Sequence, residues 1–172
     1  MTRSLSLTTV RLVSGTALTL AACVLLPVAV HLIPAGGVPL GARLLPIFLA
    51  PLLAAYLFPP VVALAAAALA PFLNQALTGM PPKGLAAQIS VELLVFVGLV
   101  VLVRRMWPRF LPLAPLAYLA AHLLTALLFG SASPGQVLAD TWSVSWPGLL
   151  VLTCASAWLA RYGKEPGPRE PL

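Results

Sequence analysis

The chain has 172 residues, of which 60% are hydrophobic and only 8% charged, against roughly 25% charged residues in soluble domains. A water-soluble core has no use for that much apolar surface, so the bilayer is the solvent and no soluble domain fits beside the membrane part. Ten Lys and Arg against four Asp and Glu give a net charge of +6, but the basic residues border apolar runs without interleaved aromatics, which argues against a nucleic-acid surface.

At roughly 20 apolar residues per crossing, the sequence predicts an all-α integral membrane protein with six transmembrane helices. They form one substrate-binding membrane domain over residues 1–160, followed by a short polar cytoplasmic tail, 161–172. The first span is Thr9–Ile33. Arg3 and Arg11 precede it, and "LAAC" at Leu20–Cys23 imitates a lipoprotein cleavage box. The apolar run continues through "VLLPVAV" to Ile33, too long for a signal core, so a retained helix is expected. Ala17 and Ala21 form an A-x-x-x-A pair on this helix, with Ser14 continuing the same face. Such a face either packs inside the bundle or receives a partner helix.

The loop "PAGGVPLG" leads to the second span, Ala42–Phe58, and the short "FPP" break makes a hairpin with the third, Val61–Leu77. The third repeats the small-residue spacing with Ala63/Ala67 and Ala66/Ala70. After "TGMPPKG" comes Ala86–Val103, after "RRMWPRF" comes Leu111–Phe129, and after "GSASPGQ" comes Ser143–Ala160. The tail "RYGKEPGPREPL" is too polar to pack. Cys23 and Cys154 lie within spans and read as small buried residues; no zinc spacing, metal motif or cofactor motif is present in the sequence.

Six spans put both termini on one side, and Lys and Arg are retained in the cytoplasm. With the N-terminus inside, Arg3, Arg11, Arg104, Arg105, Arg109, Arg161, Lys164 and Arg169 are cytoplasmic, and only Arg43 and Lys83 face out. Both ends are therefore expected in the cytoplasm, with the chain a multi-pass protein of the cell membrane.

The polar residues of the spans gather toward the outside: His31, Arg43, Asn74, Gln75, Lys83, Gln88 and Glu92 fall at one level of the membrane. Gln88, Glu92 and Phe96 share a stripe on the fourth span, and Tyr118, His122, Thr125 and Phe129 share one on the fifth. Trp142 and Trp146 lie beside Asp140 at the sixth. Together they suit a pocket for a small, planar, polar ligand, with stacking rings and a few orienting hydrogen bonds. Each has a plainer reading as well. The tryptophans fit an interfacial belt, the histidines fit structural hydrogen bonds, Arg43 and Lys83 fit a rim, and Glu92 fits a salt bridge to Arg43 or Lys83. Glu92 stands apart because a carboxylate inside a span costs roughly 3 kcal/mol on insertion scales, and intramembrane acids are functional by default.

The order "HLIPAGG…LLPIFLAPLLAAYLFPPVVALAAAALAPFLNQALTGMPP…ISVELLVFVGLVVLV" resembles the substrate-binding S components of energy-coupling-factor (ECF) vitamin transporters of prokaryotes. The motif detail covers about His31 to Val103, and the six-helix plan extends it to the whole chain. The resemblance implies that Ala17 and Ala21 dock onto a transmembrane T component, with two cytoplasmic ATPases as further partners. It also implies that a vitamin or precursor binds in an outward-facing pocket under the loop Pro34–Gly41, which acts as a lid. Substrate contacts are then expected from Asn74, Gln75, Gln88, Glu92, His122, Trp142, Trp146 and Arg43. "FPPVVA" departs from the family's "LGPxxG", and the histidine often seen in its second helix is absent from "LLPIFLAP", which leaves the substrate open.

The chain lacks G-x-x-x-x-G-K-[ST], so ATP hydrolysis falls to partner subunits and the chain itself is expected not to be an enzyme. Two rival classes stand beside this. One is an intramembrane enzyme with Glu92 and His122 as acid and base, although no G-x-S-x-G or H-E-x-x-H is present. The other is a structural or assembly subunit whose small-residue faces bind another membrane protein and no small ligand.

Overall fold

The computed structural model describes residues 7–34, 38–82, 84–107, 113–130 and 133–162. The described residues form helices and their connections, without strands: α1 (Leu7–His31), α2 (Leu40–Leu44), α3 (Pro46–Leu57), α4 (Pro60–Thr78), α5 (Leu85–Met106), α6 (Leu113–Leu128) and α7 (Pro134–Tyr162). Among the described residues, five segments are long and apolar enough to cross a membrane: Thr8–His31, Leu40–Leu57, Pro60–Thr78, Leu85–Met106 and Pro134–Tyr162. The helix α6 is apolar but has 16 residues.

Two boundaries differ from the sequence expectation. The second span is two helices, because Leu45 adopts a left-handed conformation (φ 53°, ψ 43°) that closes α2 and opens α3, with Pro46 at the first position of α3. A leucine there is strained, and the burial of its side chain offsets the cost. The last helix starts at Pro134 rather than Ser143. Its start carries a capping pattern that hydropathy misses: the Ser133 backbone N–H and hydroxyl both donate to Gln136 Oε1, at 3.3 and 2.9 Å, and Pro134 follows the cap.

The main core lies among α3, α4, α5, α6 and α7. Phe48 meets Phe96 edge-on at 5.3 Å and Tyr118 edge-on at 4.9 Å, above fully buried Leu52, Leu93 and Val97. A second cluster of Cys23, Ala50 and Ala70 joins α1 to α3 and α4. Ala63, Ala66, Ala67 and Ala70 are all buried, so the small-residue face of α4 is used within the bundle. There Ser90 of α5 donates to the Ala68 carbonyl at 2.9 Å.

The outer face of α1 behaves differently. Gly15, Thr19 and Cys23 turn inward, whereas Ser14, Ala17 and Ala21 are exposed. Packing of Ala17 and Ala21 inside their own bundle, the plainer sequence alternative, is thereby overturned.

Contacts between elements define two ends. A Cβ on Gly15 would lie 2.9 Å from the Phe58 ring, and Arg104 reaches the Ala55 carbonyl at 2.7 Å, so the start of α1 and the ends of α3 and α5 lie together. At the other end His31 packs on Gly41, and Ser145 of early α7 donates to the Ala42 carbonyl at 3.0 Å. From Ser145, α7 runs back toward the first end, so Leu7 and Tyr162 lie at the same end of the bundle.

Candidate functional site

Proline chemistry decides where several polar side chains go. A proline lacks the N–H that would bond the carbonyl four residues earlier. Pro27, inside α1, thus deprives the Cys23 carbonyl of its helical donor, and the Ala42 and Ala55 carbonyls lie in the last turns of α2 and α3, where Pro46 and Pro59 stand four residues on and offer no N–H. Each of these carbonyls is served by a side chain from another helix: Asn74 on Cys23 at 2.9 Å, Ser145 on Ala42 at 3.0 Å and Arg104 on Ala55 at 2.7 Å. In a bilayer, where water cannot compensate, such bonds hold helices together.

A cavity of about 420 Å³ opens at the end of the bundle where α1 gives way to α2. Its wall comes from the end of α1, Gly41 of α2, the start of α3, the end of α4, the Met80–Pro81 turn and Ile89 of α5. Among the described residues, three polar side chains line it: His31, Asn74 and Thr78. Asn74 is only 4% exposed, and its Nδ2 donates to both the Cys23 and Ala70 carbonyls.

A second constellation lies deeper. His122 Nδ1 donates to Glu92 Oε1 at 2.8 Å, with Glu92 buried and His122 partly open. Tyr118 stacks on His122, with ring centroids 5.6 Å apart and planes 15° apart, and Phe48 closes the edge of Tyr118. A carboxylate inside a membrane helix needs a partner, and here the partner is His122, not Arg43.

Of the residues predicted from sequence, Asn74 lines the cavity and Glu92 and His122 form the deeper pair. Gln75 sits beside the cavity's turn, donating to the Pro81 carbonyl at 3.3 Å. Gln88 is half-buried on α5, and Arg43 is half-buried at the end of α2, its backbone carbonyl against Gly148 of α7. Trp142 and Trp146 are not brought to the cavity: they stand on the outside of α7, 69% and 48% exposed. Their expected role as stacking walls gives way to the belt alternative, because the buried stripe of α7 runs through Thr141, Ser145, Gly148 and Leu152. Lys83, Arg109, residues 35–37 of the expected lid and 163–172 of the tail lie outside the described residues.

Thr78 and the cavity's prolines were not singled out from the sequence.

Comparison with protein family models, with curated proteins and with solved structures finds no match to this chain.

Proposed function

We propose that this protein is the substrate-capture subunit of an ECF-type importer in the cytoplasmic membrane of a prokaryote. In this reading six crossings place both ends in the cytoplasm. The cavity beneath the α1–α2 connection takes a vitamin or vitamin precursor from outside. The outer face of α1 docks on a T component, and two ATPases on the cytoplasmic side supply the work.

The observation that carries the reading is the exposure of Ala17 and Ala21. An exposed small-residue pair allows close approach by a foreign helix. A groove of about 400 Å³ between α1 and α4, flanked by Ala17, Val13 and Val61, adds shape to that face. The cavity supports the other half of the reading, because capture from dilute solution needs a preformed concave site with a few directed contacts.

The Glu92–His122 pair favours a second reading, an intramembrane enzyme using the two as acid and base. Turnover of a substrate by the chain without ATPase partners would move that reading to the front.

The test is affinity purification of the tagged chain from its native membranes in mild detergent, with mass-spectrometric identification of bound proteins. A T-type membrane subunit and paired ATPases are expected, and they are lost when Ala17→Leu and Ala21→Leu are combined. Because both alanines are exposed, the double variant keeps the thermal stability of the parent. Recovery of the chain alone, or with unrelated partners, sinks the proposal.

A further inference from the structure

The side chains that line the cavity offer it acceptors. Asn74 commits both N–H groups to the Cys23 and Ala70 carbonyls. Its orientation is thereby fixed, and among the described residues nothing donates to its Oδ1. That oxygen is not among the sealed, partnerless atoms of the interior, so in a residue only 4% exposed it opens on the cavity it lines.

His31 Nδ1 lies 2.7 Å from the Pro27 carbonyl. A carbonyl only accepts, so Nδ1 carries a proton, and Nε2 is an acceptor when the ring is neutral. Thr78 donates its hydroxyl proton to the Asn74 carbonyl at 2.8 Å and accepts the Met80 N–H at 3.2 Å, which leaves acceptor capacity alone.

Pro27, Pro46 and Pro81 stand in the wall and bring no N–H to it, while the Pro27 and Pro81 carbonyls already accept from His31 and Gln75. The described residues of the wall include no Lys or Arg to neutralise an anion and no Asp or Glu to neutralise a cation. Val28, Ile47 and Ile89 supply apolar surface for the body of a ligand.

We propose that the cavity takes an uncharged small molecule that donates hydrogen bonds, through an N–H or O–H, to Asn74 Oδ1 and His31 Nε2, and that it rejects carboxylates and other anions. The reason is electrostatic. A carboxylate would set its oxygens against acceptor lone pairs in a low-dielectric site, whereas a donor satisfies Asn74 Oδ1 at the moment its own hydration is lost. The inference rests on reading the cavity as the substrate site and narrows the substrate to a chemical class.

The experiment uses the full chain in lipid nanodiscs and three matched probes: benzamide, N,N-dimethylbenzamide and benzoate. Binding is followed by saturation-transfer NMR on the parent and on Ile47→Trp, which fills the cavity; Ile89→Trp plugs it from α5 should the first variant fold poorly. Benzamide is expected to bind at least tenfold more tightly than either of the others, and to lose binding in the plugged variant. His31→Phe, which removes one acceptor at the rim, weakens benzamide several-fold and leaves dimethylbenzamide unchanged. Equal binding of the three, or preference for benzoate, that still vanishes on plugging keeps the cavity as the site and overturns the donor rule. Binding of none, or binding indifferent to both plugs, overturns the cavity as substrate site and the inference with it.

Discussion

Pro27 removes the main-chain donor that helix geometry offers to the Cys23 carbonyl, and Asn74 supplies the replacement from α4 at 2.9 Å. An unsatisfied carbonyl buried away from water costs about 1–3 kcal/mol. Asn74→Leu keeps the approximate volume and strips the donor, so it is expected to lower stability by about that amount. Pro27→Ala returns an N–H to the helix, and in that background Asn74→Leu is expected to cost less than half as much. Unfolding titrations of the two single variants and the double variant give the coupling directly. Strictly additive penalties would show that Asn74 acts through something other than the orphaned carbonyl. The two ends of Asn74 differ: the amide nitrogen is spent on structure, and among the described residues nothing donates to the oxygen.

At the scale of elements, glycine sets how closely the short helix α2 can lie on α7. A Cβ at Gly148 would sit 2.7 Å from the Arg43 carbonyl oxygen and 2.7 Å from Leu45 Cγ. One obstacle is backbone, which cannot swing aside. Gly148→Ala is therefore expected to push α2 away and cost about 1–3 kcal/mol. Gly98 on α5 has nothing within 4 Å of its would-be Cβ, and Gly98→Ala is expected to stabilise by about 0.5–1 kcal/mol through lower backbone entropy. Thermal unfolding in one detergent compares the two; equal shifts would refute the close approach. Most helices were legible in the sequence because the bilayer fixes their length and Pro/Gly turns mark their ends. The break at Leu45 was not, since nothing in a leucine announces a left-handed backbone. The start of α7 was missed because its capping residues are polar and hydropathy passes over them. In the site, Asn74 and Glu92 were legible because polar groups inside spans are costly. The outward aim of Trp142 and Trp146 was not, since spacing says which residues share a stripe but not which way the stripe faces.

At the scale of the molecule, the open matter is the count of crossings. Helix α6 has 16 residues, about 24 Å at 1.5 Å per residue, short of a hydrocarbon core roughly 30 Å thick. An odd count of crossings would place the two chain ends on opposite sides of the membrane. The bundle argues for an even count, because Leu7 and Tyr162 lie at the same end, and because His122 meets Glu92 while Tyr118 and Phe96 both meet Phe48, an order that runs α6 antiparallel to α5. Flanking residues and local thinning let a short helix span. The described basic residues Arg11, Arg104, Arg105 and Arg161 all fall toward the shared end, and Arg43 toward the other, so the shared end is expected to be cytoplasmic. A fluorescent protein fused after Leu172 should mature and glow, and alkaline phosphatase fused there should be inactive. Phosphatase inserted after Gly130, between α6 and α7, should be active. An active phosphatase at the C-terminus, or an inactive one after Gly130, would overturn the arrangement of six crossings with cytoplasmic ends.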